Sequence, residues 1–140
     1  MSTEANKALV RRYRAVHNTN KLDALDEIVA KDIISHNSLP GLPPGLEGGK
    51  MAHFAFLESF PDLQAATDDL IAEGDKVVER YTVRGTNKGS FMGASPTGKK
   101  FEVSSMSIYR IANGKIVEHW GENDANGLMM QLGLAPQMGG

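Results

Sequence analysis

The sequence predicts an α+β fold: a strongly bent antiparallel sheet wrapped over three N-terminal helices, a cone-shaped α+β barrel. Three observations lead there. Helical spacing of apolar residues dominates the N-terminal part and is interrupted by one short strand. Four long β-rich runs follow. Those runs are joined in pairs by the turn dipeptides Gly74-Asp75 and Asn113-Gly114. Asn-Gly between two β-rich runs is a strong hairpin signal, because both residues accept the positive φ that a tight turn requires. Helices gathered ahead of an antiparallel meander are the order of an α+β protein.

Taken in order, residues 3–18 place Ala5, Leu9, Tyr13 and Val16 at helical spacing, with Thr3 as the N-cap. A second helix is predicted over 21–31, with Leu22, Leu25, Ile28 and Val29 on one side. Ile33 to Ser38 reads as a short strand. Leu39 to Gly49, rich in Pro and Gly, reads as a loop of the kind that forms lids and mouths. A third helix over 48–60 turns Met51, Phe54, Leu57 and Phe60 inward and ends at Pro61. Strands Leu63–Glu73 and Lys76–Thr86 form one hairpin, and Lys100–Ile111 and Lys115–Asn123 form the next. The Gly-rich stretch Asn87–Gly98 links them, and a short apolar helix containing Leu128 to Leu132 closes the chain. Residues 1–140 read as a single domain.

Composition narrows the function classes. Hydrophobic residues make up 41% and charged residues 23% of the 140, which is ordinary for a globular protein. A net charge of −2 argues against nucleic acid as a partner, since phosphate recognition needs a concentrated basic face. The cluster Arg11-Arg12-Tyr13-Arg14 is read as a solvated helix face. The absence of cysteine excludes disulfides, thiolate nucleophiles and Cys-based metal sites. No run is long enough to span a membrane, and the first residues lack the build of a signal peptide, so the expected location is the cytoplasm. The four His residues show no metal-ligand spacing, and no metal site is expected.

Several motifs, in this order and spacing, together resemble the SnoaL-like polyketide cyclases. That family lies within the wider nuclear-transport-factor-like cone fold, with ketosteroid isomerase and limonene epoxide hydrolase. The motifs are Gly-Leu-Glu-Gly-Gly-Lys50, Phe60-Pro-Asp-Leu63, Asn87-Lys-Gly-Ser-Phe-Met-Gly93 with Pro96-Thr-Gly98, Gly114-Lys-Ile-Val-Glu-His-Trp120, Asp124, and Gln131-Leu-Gly133. The resemblance implies aldol-type enolate chemistry on a small apolar carbonyl substrate, without metal or organic cofactor. It implies that the Asp after the Trp-bearing strand, here Asp124, is the general acid/base. The same fold also hosts other chemistries and non-enzymes, so fold alone does not set the reaction. An epoxide-hydrolase-type site would need an Asp-Arg-Asp set, for which Asp124 and Arg110 with Asp68 or Asp69 are the candidates. An isomerase-type site would use a phenol from Tyr81 or Tyr109. A non-catalytic small-molecule-binding dimer is the third reading.

Asp124 is also a favoured residue type for capping the helix that follows it, a role compatible with catalysis. His119 is the second catalytic candidate, as a donor to a substrate carbonyl or an orienter of Asp124. Strict alternation along 115–124 puts Trp120 and Asp124 on one face and His119 on the other, so both candidates share a cavity only if the strand ends or bulges between them. Gly121 is the expected place for that bulge. His36, Trp120, Phe54, Phe91, Met92 and Met106 are assigned to substrate binding, with core packing as the plainer alternative for the large apolar ones. His17 is expected at the surface, and His53 at the rim or surface. Glu79, which interrupts the apolar face of Val77, Tyr81 and Val83, is read as an ion pair with an Arg such as Arg80 or Arg84. A bent sheet leaves an outer face to cover, and a homodimer is expected.

Overall fold

A computed structural model describes residues 2–134. Helix α1 spans Thr3–Thr19 and is capped by Ser2, whose side chain accepts from the Ala5 amide. A 3-10 helix, Leu22–Glu27, buries Leu22 and Leu25, which that geometry stacks on one side. Strand β1 is Val29–Ser35, α2 is Gly45–Ser59, β2 is Gln64–Glu73, and β3 is Lys76–Thr86. Strand β4 is Lys100–Ala112, β5 is Lys115–Asn123, and α3 is Ala125–Leu132.

The α+β architecture and the four-strand meander are as the sequence predicts; α1 is capped by Ser2 and not Thr3, α2 begins at Gly45 inside the predicted loop, and three further details differ. The second helix is a single 3-10 segment, because β1 begins at Val29, where the β-branched residues pair with the sheet instead of extending a helix. The sheet order is β1-β5-β4-β3-β2, and β1 runs parallel to β5, so the sheet is mixed and not purely antiparallel. The bulge in β5 lies near Val117, not at Gly121: Arg110 faces Glu118, while Ile111 faces Ile116. This extra residue reverses the alternation downstream. His119, Gly121 and Asn123 then oppose the inward-facing Tyr109, Ser107 and Ser105, and Trp120 turns outward.

One face of the sheet is buried. Along β4 the buried residues are Phe101, Val103, Ser105, Ser107, Tyr109 and Ile111, in strict alternation with exposed or half-buried ones. Two apolar clusters form on this face. Val10, Leu25, Ile28, Val77, Tyr109 and Ile116 join α1 to the middle of the sheet. Phe60, Phe101, Val103 and Leu132 join α2 and α3 to its far end. The cavity opens against the second cluster and reaches the polar side chains of Arg14, Tyr81 and Ser105.

Candidate active site

The cavity has a volume of about 490 Å3. Its walls are mainly apolar: Phe56, Phe60, Leu63, Val83, Phe101, Val103 and Leu128. The segment 87–99 adds Phe91 and Met92 at the mouth. Their position follows from local geometry. Phe91 and Ala94 exchange backbone hydrogen bonds across Met92 and Gly93, which have φ of 51° and 80°, the pair of positive φ values found in a tight two-residue hairpin. Buried Asn87 anchors the base of this segment: its Oδ1 accepts from the Thr97 amide and hydroxyl, and its Nδ2 donates to the Gly89 carbonyl.

Asp124 also lines the cavity, directly after the end of β5. It is the only Asp or Glu among the described lining residues. Its Oδ1 accepts from the Gly127 amide at 2.9 Å, so it caps α3 as well. A Cβ at position 127 would meet the Asp124 carboxylate, so any larger residue there must displace that side chain. The side chain is solvent-accessible and stands at the rim, not deep in the pocket.

The polar wall is built largely from α1. Arg14, His17 and Asn18 line the cavity together with His53 and Tyr81. Arg14 Nε and Nη2 donate to the two carboxylate oxygens of Glu79 at 3.1 and 2.8 Å. Glu79 is completely buried and also accepts from Thr67 Oγ1 and the Tyr109 hydroxyl, both at 2.7 Å. Burial opposes charge on both partners. For Glu79 it is outweighed by the bonds from Arg14, Thr67 and Tyr109, which hold the carboxyl below its ordinary range. For Arg14 it is outweighed by Tyr109 and Glu79, so its affinity for its proton is raised. The guanidinium also lies over the Tyr81 ring, 4.1 Å from its centroid. The expected ion pair of Glu79 is therefore present, but its partner is Arg14. Arg80 pairs with Asp68 and Asp69, and Arg84 with Glu102, all on the outer side.

The histidines near Arg14 are neutral. Burial, far outweighing a hydrogen bond to the Tyr13 carbonyl, pushes His17 down to about 3. His53 is lowered by burial and by Arg14. His17 therefore lines the cavity and does not hold the surface position expected of it. The periodicity of α1 carried a sign of this: Asn6, Val10, Arg14 and His17 recur at intervals of three and four, so one helical face links two buried residues to two that line the cavity.

The structure brings only part of the predicted site together. Asp124, Phe91 and Met92 line the cavity. His119 reaches the same face of the sheet but sits behind the lining. Its Nε2 meets Ser107 Oγ at 3.0 Å, and Ser107 in turn meets the Tyr81 hydroxyl at 3.1 Å. Burial, with a smaller effect of Arg14, pushes His119 down to about 4. Four assignments are corrected. Trp120 and His36 stack on each other on the outer side, with centroids 4.9 Å apart, and His36 bonds Glu118. Met106 alternates outward between inward-facing Ser105 and Ser107. Phe54 lies on the exposed side of α2, where the helical phase turns His53 and Phe56 to the cavity in its place. No group of His, Asp or Glu among the described residues has the arrangement of a metal site, and no described helix is long and apolar enough to cross a membrane.

A curved mixed sheet closed by helices over an apolar cavity, with one carboxylate at its rim, defines an α+β cone with a small-molecule pocket. The structure of TsrD from Streptomyces laurentii has this fold: TM-score 0.87, 30% identity, covering 96% of this chain and 99% of that one. The chain belongs to the SnoaL-like polyketide cyclase family, whose model matches residues 7–132. It is 28% identical to the aklanonic acid methyl ester cyclase DnrD of Streptomyces peucetius, across 95% of this chain and 92% of that protein. It is 30% identical to the nogalonic acid methyl ester cyclase of Streptomyces nogalater, across 83% of this chain and 88% of that protein. These relatives support a cyclase-like enzyme.

Proposed function

We propose that this protein closes a ring in a polyketide-like or related apolar carbonyl substrate by aldol-type acid/base chemistry, without a cofactor, and that Asp124 is the acid/base. Asp124 takes the proton from a carbon flanked by two carbonyls. The enolate carbon attacks a third carbonyl further along the same molecule, a carbon–carbon bond forms as that C=O π bond opens, and the new alkoxide takes the proton back from Asp124. The observation that carries this reading is that Asp124 is the only carboxylate among the described residues lining a largely apolar cavity. Its Oδ1 is held by the Gly127 amide, which fixes the carboxylate, and Oδ2 has no hydrogen-bond partner among the described residues. Charge development beside apolar walls is more sensitive to such a group than it would be in water.

The competing catalytic sets are less well supported. Arg110 bonds Glu118 on the outer face, and Asp68 and Asp69 are engaged with Thr82 and Arg80, far from an Asp-Arg-Asp arrangement with Asp124. The test is proton exchange by NMR in heavy water on a panel of β-keto esters, followed by ring closure of a poly-β-ketone, for the parent and Asp124→Asn. Loss of a general acid/base typically lowers the rate about 10²–10⁴-fold. Equal exchange by both proteins would remove Asp124 from the role. No exchange by either would favour a binding protein.

The same proposal includes a single domain over residues 1–140 and a homodimer. Support for the dimer comes from the outer face, where Ile34, Ile71, Met106 and Ile108 are exposed large apolar side chains. Sedimentation of the parent as a dimer and of Met106→Lys as a monomer is the expected result, and a monomeric parent would refute it.

A further inference from the structure

Arg14 is more than a structural partner of Glu79. Among the described lining residues Arg14 and Asp124 are the only Arg, Lys, Asp or Glu side chains, and the lining histidines are neutral. The ion pair is oriented: Arg14 lines the cavity, whereas Glu79 is wholly buried and does not. Its positive end therefore faces the cavity and its negative end the sheet. Two of the three guanidinium nitrogens, Nε and Nη2, are committed to Glu79, and Nη2 also reaches the Tyr109 hydroxyl at 3.2 Å. Nη1 has no hydrogen-bond partner among the described residues, and it is not among the enclosed atoms that lack one, so it retains open space beside it.

We propose that Arg14 Nη1 binds the oxygen on which negative charge develops when the substrate loses its proton to Asp124, so that the cavity has a fixed base at its rim and a fixed enolate-binding cation in its polar wall. Glu79, Thr67 and Tyr109 are the positioning residues: they hold the guanidinium in place before the substrate arrives. A donor already fixed in this way needs no reorganisation as charge appears, which is the condition under which such groups contribute most. The Tyr81 ring under the guanidinium fixes its plane further. The ligand class that follows is a carbonyl compound that ionises to an enolate, with its oxygen toward α1 and its acidic carbon toward α3. This inference rests on the proposed enolate chemistry but is separable from Asp124.

The test uses a 1,3-diketone, benzoylacetone, whose ultraviolet spectrum changes on ionisation, titrated with pH in the presence of the folded protein. An opposite charge within hydrogen-bonding range lowers the pH of ionisation of an acid by about 1–3 units. The parent is expected to show that shift for the bound diketone. Arg14→Met combined with Glu79→Gln, which removes both charges and avoids a buried unpaired one, is expected to bind the diketone and lose the shift. Asp124→Asn is expected to keep it, so failure of the base assignment and failure of this one give different results. A parent that binds the diketone without a shift, a shift that survives in the double variant, or no binding at millimolar diketone would each overturn the proposal. If the double variant does not fold, Arg14→Lys replaces it: a lysine ammonium cannot hold both Glu79 oxygens and present a further fixed donor, so the shift is expected to shrink, and an unchanged shift would overturn the proposal.

Discussion

The two faces of the sheet carry the same kinds of residue in opposite settings. On the inner face, Arg14 and Glu79 are enclosed with Tyr109 and Thr67, and His17 and His119 are kept neutral by burial. On the outer face, Arg110 and His36 bond Glu118, and His36 stacks on Trp120. Glu118 is held below its ordinary range by the bond from His36 and then that from Arg110. Both clusters look equally functional as residue types. Only the inner one adjoins a cavity, and one extra residue in β5 decides that Glu118 and Trp120 belong to the outer face and His119 to the inner one. Chemical identity therefore says less about a site here than the phase of the strand that presents it.

The largest expected effect separates the faces by stability. Glu79→Ala leaves Arg14 without its buried partner and is expected to destabilise the fold by about 3–5 kcal/mol. Glu118→Ala, on the outer face beside the partly exposed Arg110 and His36, is expected to shift the denaturant midpoint far less. Comparable midpoints for the two variants would break the contrast.

The next effect is on pH dependence. A histidine that is neutral in the folded protein and titrates near 6.5 when unfolded contributes stability that is complete above 6.5 and is lost as pH falls. For His119 the loss runs from about 6.5 down to about 4, and for His17 down to about 3. Each contributes a slope of at most about 1.4 kcal/mol per pH unit in that window. Chemical denaturation between pH 7 and pH 4 is expected to show a shallower slope for His119→Gln than for the parent, and an unchanged slope would place His119 in a solvated setting.

A smaller effect sharpens the role of the rim. Gly127→Ala displaces the Asp124 carboxylate from its cap, and loss of a cap costs about 1 kcal/mol. The expected result is a clear fall in proton exchange with the melting temperature only slightly lowered. A fall in both by the same proportion would assign the change to folding alone. The smallest effect belongs to Trp120→Leu, which is expected to leave exchange unchanged. A fall as deep as that of Asp124→Asn would return Trp120 to the cavity.

Much of the fold is legible in the sequence because turns and strand lengths are local. Gly74-Asp75 and Asn113-Gly114 mark hairpins whose strands have the predicted bounds to within a residue or so. The site is legible only where it depends on order along the chain, as with Asp124 after β5 and Phe91-Met92 in the linking segment. Residue type and the resemblance assign His36 and Met106 to the cavity, and for Trp120 the assignment also follows an alternation that ignores the bulge. The bulge near Val117 is fixed by pairing with β4, which is not written into β5 itself. Arg14 reads as part of a solvated helix face because it ends the basic run Arg11-Arg12-Tyr13-Arg14, although its helical phase with Val10 points inward. Glu79 stood out correctly as a break in an apolar strand, but its partner comes from a distant helix and no local rule supplies it.

The parallel pairing of β1 with β5 has a consequence for the order of assembly. Strands β2 to β5 each pair with a sequence neighbour, so their ladders close short loops. Strand β1 joins Val29 to Ile116 and His36 to the His119 backbone, contacts that span most of the chain. As the chain leaves the ribosome, β1 emerges early and has no edge to join until β5 has followed it. The apolar Ile33–Ile34 segment must meanwhile wait as an unpaired strand, the kind of species that aggregates or calls on a chaperone. The same edge that completes the sheet is thus the last to be seated, and slow refolding would be traced to this one ladder rather than to the walls of the cavity.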